Sequence, residues 1–244
     1  MSRIMKFHKV FSKNIFMLAG TIGLPVLMLS SCLKTPVSQN YSTPVAAVMF
    51  TDASPDQVPL DLFINNFGVN QSPINYGQNT GYFGINAGTN SVSLYADATR
   101  KSILSDTINF VQNTTYSVFL VNKVSQPQIF MMTDTIISPS TGNASIRFVN
   151  LSPDAPAVDL VVKGGSTLVS NRSFKGFSSF APITGNSFYT FEVHQAGTAT
   201  VLATLSNVKI NAGYVYTIWF HGLTAGTTAA DQLSVDIINN AYFL

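Results

Sequence analysis

The chain has 244 residues, 46% hydrophobic and only 10% charged, with 13 basic against 11 acidic side chains. No Lys/Arg cluster is present, which argues against nucleic acid as a partner. Its one cysteine excludes a disulfide within the chain, and only His194 and His221 follow the first thirty residues, so zinc has few ligands to draw on.

The first predicted element is a leader. Arg3, Lys6, Lys9 and Lys13 precede the apolar run Ile15 to Leu29 with no acidic residue among them. A transmembrane helix needs about 20 apolar residues, whereas a basic head and a shorter apolar run have the anatomy of an export signal helix. The run ends in Leu29-Ser30-Ser31-Cys32, which resembles a bacterial lipobox, so residues 1–31 read as a lipoprotein signal peptide and Cys32 as the lipidated N-terminus. Acyl chains anchor stably because each buried CH₂ contributes roughly 0.8 kcal/mol. Removing the leader leaves 9 basic and 11 acidic side chains, a slightly acidic exported form. No acidic cluster follows Cys32, which favours the periplasmic side of an outer membrane over the cell surface. Residues 32–44 carry two prolines without periodicity and read as an extended tether.

Two blocks of one pattern follow, 98 positions apart: Val48 to Ile64 (V-M-F-T-D-A-S-P-D-Q-V-P-L-D-L-F-I) and Ile146 to Val162 (I-R-F-V-N-L-S-P-D-A-P-A-V-D-L-V-V). Each places apolar residues two apart, breaks at Ser-Pro-Asp and resumes the period of two, so each predicts strand, turn, strand. Pro55 and Pro153 preset a turn φ, while the flanking Ser and Asp side chains reach local backbone N–H groups. Beyond the first block, Asn65 to Gly68 predicts a turn, Asn70 to Gly84 a loop or short edge strand, and Ile103 to Phe110, Tyr116 to Val121 and Ile129 to Ile136 strands. The turn at Asn113-Thr114 corresponds to Gly213. Residues 138–143 (S-P-S-T-G-N) form a linker, after which Phe191 to Val193, Val201 to Leu205, Val208 to Ile210, Tyr214 to His221 and Leu233 to Ile238 repeat the order. About seven strands in each of residues 45–137 and 144–244 predict an all-β fold, two tandem antiparallel immunoglobulin-like β-sandwich domains. The short linker predicts that they sit end to end.

The block R-F-V-N-L-S-P-D-A-P-A-V-D-L-V-V resembles the opening signature of the domain of unknown function DUF4397, a β-sandwich module of bacterial secreted proteins and lipoproteins. The second block matches closely; the first has Gln57-Val58-Pro59 in place of Ala155-Pro156-Ala157. The resemblance covers residues 45–137 and 144–240. It implies a sandwich fold and a cell-envelope setting, and brings no catalytic residues with it.

Candidate chemistry is sparse. Asp52, Asp56 and Asp61, and Asn150, Asp154 and Asp159, surround the two Pro turns, where they either cap the turns or bind an ion, calcium being the best fit to oxygen ligands. No metal site is predicted. No G-x-S-x-G elbow occurs, and Glu192 is the only glutamate, so an envelope hydrolase is a minority expectation. Tyr76, Tyr82 and Phe83 lie among Asn and Gly, where exposed rings beside amides would contact a glycan or peptide; the competing expectation has Tyr82 and Phe83 start a core strand, matching Phe180 in the second copy. The reading is a lipid-anchored, non-catalytic envelope protein that binds a glycan or envelope partner, with a purely structural spacer as alternative. Exposed rings clustered on one face would favour binding, and convergent carboxylates in a cavity would favour an enzyme.

Overall fold

The computed structural model describes residues 44–56, 58–228 and 231–243. Leu29, Ser30, Ser31 and Cys32, the leader and most of the tether lie outside the described residues. Ser42–Leu244 forms one compact unit.

The described residues hold sixteen strands and no helix: β1 (Val45–Asp52), β2 (Leu60–Ile64), β3 (Phe67–Gly68), β4 (Asn79–Asn86), β5 (Gly88–Ala96), β6 (Ser102–Phe110), β7 (Thr115–Val121), β8 (Gln128–Thr133), β9 (Asn143–Asn150), β10 (Val158–Val162), β11 (Thr167–Arg172), β12 (Ala181–Thr184), β13 (Ser187–Gln195), β14 (Val201–Ile210), β15 (Tyr214–His221) and β16 (Ser234–Tyr242). They form four four-stranded sheets, β3-β2-β5-β6 and β4-β1-β7-β8 from the first half, β12-β9-β15-β16 and β11-β10-β13-β14 from the second. The second half thus repeats the strand order of the first. The pairing is antiparallel except between β1 and β7 and between β9 and β15, which run parallel. That exception follows from the Ser-Pro-Asp turn. It sends the chain from β1 into β2 on the opposite sheet, which leaves β1's free edge to the much later β7.

Period-two alternation supplies one core per half. Val48, Phe50, Leu60, Leu62, Leu94 and Val118 meet between the two first-half sheets. Phe148, Val158, Leu160, Phe191, Val193 and Ile218 meet between the two second-half sheets. Tyr116 closes the first core by accepting the Val111 N–H at 3.1 Å, and Tyr216 the second by accepting the Asn211 N–H at 3.3 Å. Asn113 (φ 58°) and Gly213 (φ 80°) make the tight turn before β7 and β15, as Asn and Gly both tolerate the left-handed region.

The expected end-to-end arrangement is not what the chain adopts. A third apolar cluster joins the halves face to face: Met49, Phe119, Val121 and Met132 from one, Val149, Leu151, Trp219 and Ile238 from the other. The layers therefore run β3-β2-β5-β6, β4-β1-β7-β8, β12-β9-β15-β16, β11-β10-β13-β14. The two middle sheets are buried on both faces, so β7 and β15 are buried at nearly every position and read as continuous apolar runs rather than alternations.

Candidate functional site

The Ser-Pro-Asp blocks stitch each half together. Ser54 Oγ donates to the Asn122 carbonyl at 2.6 Å and Ser152 Oγ to that of Gly222 at 2.8 Å. Asp56 Oδ1 accepts the Val124 N–H at 2.7 Å, and Asp154 Oδ1 that of Thr224 at 2.9 Å. Each block is thereby clamped to the loop that follows its parallel partner, β7 or β15. Asp159 accepts the backbone N–H groups of Asn171 and Gly197, while Asp61 pairs with the Arg100 guanidinium. Asp52 and Asn150 each accept the N–H of the residue two ahead, Ser54 and Ser152, at 3.0 Å. The carboxylates face separate partners, and among the described residues no group of three or more His, Cys, Asp or Glu side chains is placed to hold a metal ion.

Two of the three aromatic candidates, Tyr76 and Tyr82, lie at the seam between the halves. Phe83 packs against the first core from β4, and Tyr82, next along that strand, points the other way. Its hydroxyl donates to Asp134 Oδ2 at 2.5 Å and accepts from Asn240 Nδ2 at 2.9 Å. Burial, then the charge of Asp134, pushes its ionisation upward. Tyr76 crosses to the second half, where its hydroxyl and His221 Nδ1 share a hydrogen bond of 2.5 Å. His221 Nε2 in turn lies 2.9 Å from Asp236 Oδ2, and that contact holds the Asp236 carboxyl below its usual range.

Arg147 organises the seam's polar centre. It lies on β9 between core residues Ile146 and Phe148 and so faces the first half, with its side chain 2% exposed. Nε donates to Thr217 Oγ1 at 2.8 Å and Nη2 to Ser117 Oγ at 2.9 Å, and Nη2 meets Asp134 Oδ1 at 2.6 Å without the alignment of a hydrogen bond. Ser117 Oγ donates to Asp134 Oδ2 at 2.8 Å, and the Phe180 ring covers the guanidinium at 4.6 Å. Arg147 and Asp134 were not among the residues singled out from the sequence. The signal available was a charged side chain inside the core strand I-R-F-V.

Beside this centre the seam opens into a cleft of about 490 Å³ between the end of β8, residues 135–140, β9 and the segment before β12. Seven Ser and Thr residues line it with Arg147, Phe177 and Phe180, and no carboxylate does. Phe177 is 45% exposed and meets Phe130 of the first half edge to face, their ring centroids 6.1 Å apart. Such a surface offers neutral hydrogen-bonding groups around rings, and nothing that would act as a paired acid and base.

Residues 46–161 match the family model described as Domain of unknown function (DUF4397). The match spans the first half and runs through the second Ser-Pro-Asp block into β10. No curated protein matches the chain. Similar solved structures include the CBM26-family module CBMbc of Eubacterium rectale Amy13K in complex with maltoheptaose, at 8% identity and a TM-score of 0.26, covering 81% of this chain and 97% of that one. Another comes from work on alpha-glucan binding by a streptococcal virulence factor, at 11% identity and a TM-score of 0.24, covering 73% and 92%. Scores this low bear on neither ligand nor mechanism.

Proposed function

We propose that this chain is a non-catalytic binding module of the cell envelope, anchored through Cys32, whose cleft between the halves takes a glycan or the surface of an envelope partner. Under this reading the halves, residues 45–137 and 144–244, are two copies of one DUF4397-like module. Their matching strand order and paired Ser-Pro-Asp stitching support it. The observation that carries the proposal is the cleft itself, where the half-exposed ring of Phe177 stands among Ser and Thr residues with no acidic group. Stacking on a ring face with neutral hydrogen bonds around it suits an uncharged, hydroxyl-rich ligand.

The full chain is to be screened on a glycan array and cross-linked in envelope extracts, beside Phe177→Ala. Binding that the variant weakens by about tenfold or more, the loss of one ring contact, supports the cleft. Equal signals from both proteins count against it. A second reading, a rigid spacer that recognises nothing soluble, is favoured by the buried ion pair and the third apolar cluster that lock the halves together. It gains if both proteins bind nothing and Cys32→Ala releases the chain from the membrane.

A further inference from the structure

We propose that the outer face of the β3-β2-β5-β6 sheet carries a second ligand site, a corner between Phe63 and Tyr95 flanked by Arg100 and Asp61, which takes the ring of a neutral pyranose. The two rings stand at 86° with centroids 5.5 Å apart, and with Asn66 and Arg100 they line an open hollow of about 280 Å³. That lies just below the range of pockets for drug-sized ligands, roughly 300–1,000 Å³, and suits a single ring.

The alternation of β2 and β5 places these side chains outside. Leu62, Ile64, Leu94 and Ala96 point into the core, so Asp61, Phe63 and Tyr95 point away from it. The second half shows that the fold does not need them. At the same register positions it has Val161 for Phe63 and His194 for Tyr95, and there Glu192 is held between Lys163 and His194 instead. Arg100 adds a second departure. It occupies the left-handed region at φ 55°, which is strained for a residue other than glycine, and its guanidinium is turned onto Asp61. The corresponding turn between β13 and β14 uses Gly197 at φ 71°. At this turn a left-handed non-glycine residue occurs in one half only, beside a ring pair present in that half only, which points to a site rather than a folding requirement.

The chemistry selects the occupant. A pyranose has an apolar C–H face that stacks on an aromatic ring and a hydroxyl edge that both donates and accepts. The Arg100–Asp61 pair offers donors and acceptors side by side with no net charge, which suits vicinal hydroxyls. A phosphate or uronate would gain little from Arg100, whose charge is already met by Asp61. The corner shares no residue with the cleft between the halves, so the two sites stand or fall separately.

The test uses the full chain with soluble neutral hexasaccharides of glucose, mannose, galactose and xylose, and a galacturonate hexasaccharide, read by saturation-transfer NMR and calorimetry. Tyr95→His and Phe63→Val install residues that the second half already carries in this fold, and Arg100→Gly relieves the left-handed turn. At least one neutral sugar is expected to bind through its ring C–H face. Tyr95→His and Arg100→Gly should each weaken it by about tenfold or more while Arg100→Gly keeps or raises the melting temperature, and Phe177→Ala should leave it unchanged. The inference is overturned if no neutral sugar binds at millimolar concentration, if galacturonate is preferred, or if the corner variants bind like the parent. Loss of all sugar binding in Phe177→Ala alone overturns it too, and leaves the cleft as the site.

Discussion

Asp52 stands fully buried at the end of β1, where Oδ1 accepts a backbone N–H and Oδ2 has no partner among the described residues. Burial pushes its carboxyl from the ordinary 3.8 up to about 7. The second half explains what the position wants: Asn150 sits there, with Oδ1 on the Ser152 N–H and Nδ2 donating to the Arg172 carbonyl at 3.0 Å. A protonated Asp52 has the same acceptor and donor; an ionised one loses the donor and is left charged in the core. Because the folded-state value is raised, the native chain holds a proton that the unfolded chain has released. Stability from this group is complete below about pH 4 and is lost as pH rises through about 7, on the order of 4 kcal/mol in all. Asp52→Asn is expected to flatten that slope, raising the melting temperature at pH 8 and leaving it nearly unchanged at pH 4. Calorimetric melts across that range decide it. Asp52 was visible in the sequence as one of six residues around the turns, but an aspartate that caps a turn and one that is buried half-satisfied are spelled alike.

Among the elements, the strand–turn–strand block was the most legible, because its signals are local. Two runs of period two and a Ser-Pro-Asp breaker specify it without knowledge of the rest. What the block does was half legible: Asp56 and Asp154 cap backbone N–H groups, though 68 and 70 positions away rather than in their own turn. Asp154→Ala is expected to cost about 1 kcal/mol, the worth of a typical hydrogen bond, by the same amount with calcium or with a chelator. A loss seen only with calcium present would restore the ion. Edge strands were less legible. β4 emerges from the Asn- and Gly-rich stretch expected to be loop or short edge, and β11 and β12 have no counterpart among the predicted strands. Edge strands pair on one side and bury little, so their sequences carry a weak apolar pattern. Asparagine is common here for a related reason. Of nine non-glycine residues at positive φ among those described, seven are Asn, the side chain that tolerates this region best after glycine.

For the whole molecule, the seam is what the sequence could not announce. Ser117, Arg147 and Thr217 on otherwise apolar strands look like the wet face of a half-buried sheet, and only the partner half reveals that they are dry. The seam pairs equivalent positions. Phe119 lies beside Trp219 at 6.4 Å, and Ser117 and Thr217 both receive Arg147, as in a two-fold dimer whose subunits have been joined. Arg147 itself takes the place of Met49. Asp134→Ala should therefore cost about 3–5 kcal/mol, since it strands a buried guanidinium, whereas Asp134→Ala combined with Arg147→Met should cost far less. Chemical denaturation followed by Trp219 fluorescence compares the two; similar losses would mean that the ion pair matters less than the packing around it.

The parallel pairing of β1 with β7 also bears on how the molecule carries load. Residues 1–43 lead directly into β1, which is hydrogen-bonded along both edges, to β4 and, through the six register pairs from Ala47↔Thr115 to Asp52↔Leu120, to β7. Tension arriving from that side along the strand axis strains all these bonds together in shear instead of peeling them one at a time. The first strand is thus a mechanical clamp against tension applied at its N-terminal end.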